Sequence, residues 1–134
     1  MLAKFKTILL TLALFAICAT GSAIMIKTDT NGNMTNETGW TLYYFANDGG
    51  KMISTCSGSC TEIWKPLPAV DISVGGDLNI NDFGIVLRED GLEQIAYKKW
   101  PLYFYKGDVK AGDTNGDKID GLWFVVKPKS YPFA

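Results

Sequence analysis

The sequence predicts a mainly β fold: a small antiparallel β domain built from two related strand–turn–strand units, with one short helical segment. Three observations lead there. Fifteen aromatic side chains fall in the 111 residues that follow an N-terminal leader, a load that suits sheets needing large side chains to fill a thin core. An apolar strand that ends on a carboxylate occurs twice, as TLYYFAND over 41–48 and PLYFYKGD over 101–108. Both copies read Leu-Tyr-x-aromatic-x-x-Asp. Finally, Asp90-Gly91 sits between two β-forming runs, a strong hairpin signal.

The leader comes first. Lys4 and Lys6 form a basic start, Ile8 to Ala19 is apolar, and Gly21-Ser22-Ala23 supplies small residues. This predicts a secretory signal over 1–23 cleaved after Ala23, and 24–134 as one exported β-rich domain, secreted or periplasmic. The competing reading, a membrane anchor, is opposed by an apolar run short of the roughly 20 residues that span a bilayer. No transmembrane helix is expected after cleavage. Cys18 offers lipid attachment as a further reading, with bulky Ile17 standing where a small residue is expected. Without the leader the chain carries 11 basic and 14 acidic side chains and no basic stripe, which argues against nucleic acid as a partner. Cys56 and Cys60 remain as an even pair in an oxidising compartment, and a structural disulfide is the simplest reading. Their C-x3-C spacing and the lack of a strongly basic neighbour speak against a reactive redox pair.

Ile24 to Lys27 is expected to be the first strand. Asp29 to Gly39 is all turn formers and reads as loop. Trp40 to Ala46 alternates as a strand, with Trp40, Leu42 and Tyr44 on one face and Thr41, Tyr43 and Phe45 on the other. Large side chains on both faces predict a central strand covered on both sides. Lys51 to Ser54 reads as a short strand. Cys60 to Trp64 makes one or two helical turns with Ser59 at the N-cap, stopped by Pro66 and Pro68. Asp71 to Asp82 is Gly- and Asp-rich and reads as loop. Ile85 to Leu87, Glu93 to Tyr97, Leu102 to Tyr105 and Gly121 to Val126 then read as strands of an antiparallel meander.

The stretches TLYYFANDGG, CSGSCTEIWKPL, DGLEQIAYKKWPLYFYKGDVKAGDTNGD and GLWFVV, in that order, resemble the bacterial secreted-repeat family with a Yx(FWY)xxD motif, whose members are described as predicted lipoproteins. The resemblance covers about 40–127. It implies an exported envelope or extracellular protein, commonly lipid-anchored, with no established activity, and some members occur beside cytochromes or other redox proteins. It marks Tyr43, Phe45, Asp48, Trp100, Tyr103, Tyr105 and Asp108 as the motif residues of a binding face. The chain departs from the family pattern at Trp123-Phe124-Val125, where a histidine is common, at Lys99-Trp100, where Gly-Lys is common, and at Lys118, where glycine is common.

The chain has no histidine, so Ser-His-Asp, Cys-His and His-ligated zinc chemistry are excluded. A carboxylate-based enzyme would have to use Asp48 and Asp108; the plainer reading is that each caps a turn. Asp113, Asn115, Asp117 and Asp120 place oxygens at alternating loop positions, as calcium sites do, but Lys118 stands at the position that needs glycine. Calcium is therefore the cofactor candidate. The aromatic rows Tyr43/Phe45 and Tyr103/Tyr105 read as core in a chain this short, and Trp100 as the aromatic expected at the surface. The sequence therefore points to a non-catalytic envelope or extracellular module that binds an unknown protein or small ligand, with an accessory role in extracellular redox chemistry as the alternative.

Overall fold

The computed structural model of the protein describes residues 23–134, so the leader, with Lys4, Lys6 and Cys18, lies outside it. β1 (Ile24–Thr28) forms where expected. The polar stretch after it is not all loop: β2 (Met34–Asn36) pairs antiparallel with β1, Thr28 opposite Met34. Its turn formers close the two ends of this short strand. The Asp29 carboxylate accepts from the amides of Asn31 and Asn33 at 2.8 and 2.9 Å, and the Asn36 side-chain oxygen accepts from the Trp40 amide at 2.9 Å. Such side-chain acceptors fold the backbone locally without a ladder.

β3 (Tyr43–Phe45) is followed by a 3-10 turn, Ala46–Asp48, that ends on Gly49 at φ 65°. Lys51 to Ser54 is irregular, because Met52 at φ 58° leaves the extended region. α1 (Cys60–Ile63) is the short helix, flanked by a Ser59 that makes no side-chain cap bond. β4 (Trp64–Pro66) follows directly. β5 (Ile72–Val74) lies in a stretch expected to be loop and pairs with β1 in parallel, Ile24 opposite Ile72. β6 (Phe83–Leu87) and β7 (Glu93–Tyr97) form the expected hairpin. Lys98 and Lys99, at φ 46° and 75°, make a two-residue turn into β8 (Trp100–Pro101). β9 (Tyr103–Tyr105) and β10 (Trp123–Val125) complete the chain's strands among the described residues.

Three sheets result, in the orders β2-β1-β5, β10-β3-β9-β4 and β6-β7-β8. Of the expected meander the β6–β7 hairpin holds; β7 next pairs with the unforeseen β8, while β9 lies in another sheet, where β3 stands between it and β10. The reason is an exchange between the two units. β4 of the first unit pairs with β9 of the second, and β10 of the second pairs with β3 of the first. The backbone bonds repeat the exchange one for one. Met34 donates to the Val126 carbonyl as Ile95 does to that of Leu67, and Leu42 donates to Met34 as Leu102 does to Ile95. Val126 donates to Leu42 as Leu67 does to Leu102. The two halves are thus related by an approximate twofold that passes between β3 and β9, at the pair Tyr43 and Tyr103.

The central sheet is covered on both faces, as the large side chains of 40–46 predict. Leu42, Tyr44, Leu102 and Phe133 belong to one core, with Met34, Leu67, Ile95 and Val126. Tyr43, Tyr103, Trp64 and Trp123 belong to the other, with Cys56 and Val125. Leu42 and Leu102 are wholly buried, and truncating either to alanine would cost about 2–5 kcal/mol.

Candidate functional site

The paired strands set Tyr43 and Tyr103 side by side at the twofold, and the turn after each strand carries the aspartate. Each tyrosine reaches the aspartate of the other unit. The Tyr43 hydroxyl donates to Asp108 Oδ2 at 2.7 Å, and the Tyr103 hydroxyl donates to Asp48 Oδ2 at 2.7 Å. The second oxygen of each carboxylate holds a loop of its own unit. Asp48 Oδ1 accepts from the Thr55 amide and hydroxyl, both at 2.7 Å, and Asp108 Oδ1 accepts from the Asn115 amide at 2.9 Å. All four side chains are buried. Burial pushes both carboxyls above the ordinary carboxylate value against the pull of their hydrogen bonds, and it pushes both tyrosine hydroxyls far above theirs.

The two copies differ in what stands behind each tyrosine. The Tyr43 oxygen accepts from the Gly116 amide at 3.2 Å. Tyr103 instead meets Ser54 Oγ at 2.7 Å. The Tyr103 proton goes to Asp48, so Ser54 is the donor there, and Ser54 in turn accepts from Arg88 Nη1 at 2.6 Å. A buried guanidinium is thereby joined to a buried carboxylate through two hydroxyls. Arg88 also donates to the Gln94 side chain at 2.9 Å and to the Cys56 carbonyl at 2.8 Å, and it pairs with Asp90 at 3.1 Å. A buried cation persists only when its donors are matched in this way. Nothing in the local sequence marks Arg88 and Ser54 as partners, since 34 residues separate them.

Over this cluster lies an aromatic stack that crosses the twofold. Phe45 stacks on Trp123 at 4.2 Å, Trp123 on Trp64 at 3.8 Å with planes 1° apart, and Trp64 on Tyr105 at 4.4 Å. A β-carbon at Gly116 would lie 2.8 Å from the Trp64 ring, so glycine is required beneath the stack. Trp64 and Trp123 follow Asp48 and Asp108 at nearly equal spacing, a signal that would have exposed the second half of each repeat.

A family model described as a secreted repeat of unknown function matches this chain twice, over 25–68 and 84–127. The chain belongs to that family. The two matches coincide with the two units that exchange strands, β1 to β4 and β6 to β10, and each contains one tyrosine and one aspartate of the reciprocal pair. No curated protein and no solved structure matches the chain.

Of the residues marked as a binding face in this secreted-repeat chain, Tyr43, Tyr103, Asp48 and Asp108 are turned inward onto one another, and Phe45 and Tyr105 end the aromatic stack. Trp100, expected at the surface, is half-buried. It stands edge-on to Tyr44 at 5.0 Å and packs near Phe133, a residue of the C-terminal tail. Among the described residues the strongly exposed aromatic is Tyr131.

Among the described residues no three acidic or cysteine side chains gather as a metal site. Asp113 Oδ2 accepts from the amides of Val109 and Lys110 at 2.9 and 3.1 Å. Asn115 donates to the Gly107 carbonyl at 3.1 Å, and Asp117 accepts from the Val125 amide at 3.1 Å. Asp120 sits in the 3-10 turn Ile119–Gly121. Cys56 and Cys60 are joined by a disulfide, with Cys56 packed in the second core. No helix among the described residues is long and apolar enough to cross a membrane.

Proposed function

We propose that the protein is a non-catalytic module of the bacterial envelope or extracellular space, which presents a rigid β surface to a partner. One observation carries this reading: the tyrosines and aspartates repeated in the sequence bind each other across the two units. A general acid or base must reach a substrate proton, and these groups are buried behind the sheet they hold together. The same bonds tie down both loops that follow the motif, at Thr55 and Asn115, which leaves a stiff frame for surface recognition.

The test is complementation. In a strain lacking the protein, whatever envelope defect the deletion causes is expected to be corrected by folded Asp48→Asn and Asp108→Asn variants. A folded carboxamide variant that fails to complement would overturn the reading in favour of carboxylate chemistry. Failure of Cys56→Ala/Cys60→Ala alone, with the fold intact, would favour a redox role for the disulfide.

A further inference from the structure

The approximate twofold is broken at the outer edges of β1 and β6. In the first unit, the edge of β1 facing away from β2 is covered by β5, which pairs in parallel with Ile72 and Val74 beside Ile24 and Ile26. In the second unit β6 is the first strand of the equivalent hairpin, and its edge facing away from β7 has no strand on it. β5 comes from the segment linking the two units, and no described segment plays that part after the second.

The open edge is equipped for pairing. Arg88 donates to Leu92, and Lys98 donates to Asp82, at the two ends of the β6–β7 ladder. Antiparallel alternation then points the N–H and C=O of Ile85 and Leu87, and the Phe83 carbonyl, away from β7. None of these groups has a backbone partner among the described residues. Ile85 and Leu87 are 54% and 73% exposed, and β6 carries no charge, proline or bulge of the kind that guards edges. Beside the edge runs an open groove of about 400 Å³, lined by Ile72, Ile80, Phe83, Ile85 and Ile95 among others. The surrounding charge is mainly acidic, with Lys98 and Lys99 in the turn past the Phe83 end of the ladder. Between Pro66 and Tyr97 the single basic side chain is Arg88, which is buried, while Asp71, Glu89 and Glu93 are exposed around the edge.

We infer that the β6 edge docks an extended, cationic segment of a partner polypeptide, with alternating isoleucine or valine side chains, at Ile85 and Leu87, which lie past the 81–83 stretch that corresponds to the part of β1 under β5. Main-chain bonds to Ile85 and Leu87 supply the pairing, alternate apolar side chains enter the groove, and flanking lysine or arginine meets the acidic rim. The inference rests on the proposed binding role and names the surface that serves it.

The probe is a synthetic peptide in which the β5 sequence Ile-Ser-Val is repeated and flanked by lysines, added to the full exported chain. Amide exchange followed by NMR is expected to slow by about tenfold or more at Ile85 and Leu87. A peptide N-methylated on the amides that face β6 is expected to bind at least about tenfold more weakly, and one methylated on the alternate amides to bind as before. Leu87→Lys, a change at an exposed position, is expected to weaken capture as well. Unprotected Ile85 and Leu87 amides at about 1 mM peptide, or equal binding of both methylated peptides, would overturn the inference. Protection of the same amides without peptide, together with a doubled mass, would overturn it in favour of a second copy of the chain. Any of these failures leaves the complementation by carboxamide variants untouched, so the two readings fail separately.

Discussion

Tyr43 and Asp108 lie 65 residues apart and share a buried 2.7 Å hydrogen bond, which Tyr103 and Asp48 repeat across the twofold. The bonds tie the two units together at their common axis, so each is a contact between repeats and not within one.

Removing a tyrosine hydroxyl leaves a buried carboxylate oxygen without its donor, a loss of about 1–3 kcal/mol. Tyr43→Phe and Tyr103→Phe are therefore both expected to lower the urea midpoint with an unchanged slope. Tyr103→Phe is expected to cost more, since it also leaves Ser54, which holds the buried Arg88, without its acceptor. Equal stability of either variant and the parent chain would show that the pair does not hold the units together.

The same groups predict the pH response. Burial is the first cause of the upward shift at both tyrosines, followed by the hydrogen bond to Asp108 for Tyr43 and by the Asp48 charge for Tyr103. The unfolded chain ionises them near the ordinary value of 10.0, while the folded chain keeps its protons. Their contribution is complete below that pH and declines as pH rises from it toward the raised values of the folded chain. Asp48 and Asp108 shift the same way from 3.8, mainly through burial. Their protonated forms favour the fold, so their contribution is complete below 3.8 and declines as pH rises through the raised values. Chemical denaturation across pH is expected to show an alkaline loss that Tyr103→Phe diminishes, and an acid-side gain that Asp48→Asn/Asp108→Asn removes. A flat profile in the parent chain would contradict both.

The repeat, the central strand covered on both faces and the β6–β7 hairpin were legible in the sequence, because each rests on local periodicity or a local turn signal. β5 was not. Its partner β1 lies far back in the chain, and a three-residue strand among glycines and aspartates has no period of its own to read. Arg88 in Leu-Arg-Glu-Asp-Gly reads as a solvated turn charge, and only the arrival of Ser54, Cys56 and Gln94 makes a buried site for it. Trp100 reads as exposed because Phe133, which helps to cover it, follows 33 residues later and packs back over the first core. The motif tyrosines were legible as core, but their exchange of aspartates depends on the twofold.

The loop over 113–120 gives a prediction about calcium. Asp113, Asn115 and Asp117 each hold a backbone group of the loop or of β10, and among the described residues no three acidic side chains gather as a metal site. Metal-stripped protein is expected to melt within about one degree of protein in millimolar calcium, whereas a site filled at a hundredfold excess over Kd would add about 2.7 kcal/mol. A clear upward shift, abolished by Asp113→Ala, would establish a calcium site there.

The disulfide closes a small loop, with its cysteines four residues apart. Loop-closure entropy for so short a ring amounts to about 2 kcal/mol. Cys56→Ala/Cys60→Ala is expected to lower stability by about that amount in urea melts while the aromatic near-ultraviolet signal persists. Loss of the whole tertiary signal would mean that the bond is needed to build the second core.

The exchange of β4 and β10 makes the strongest statement about the fold. A polypeptide of 24–68 has β3 without β10 and β4 without β9, and one of 69–134 has the opposite lack. Each half would also leave half of the Trp64–Trp123 stack and two motif side chains without partners. Neither half is expected to give a cooperative melt alone. Mixed in equal amounts they are expected to recover the near-ultraviolet dichroism of the stacked indoles, because every lost partner is present on the other piece. A single half that melts cooperatively as a monomer would show that a unit can satisfy its own edges, and the exchange would then be an outcome of joining two stable repeats instead of the condition for folding either.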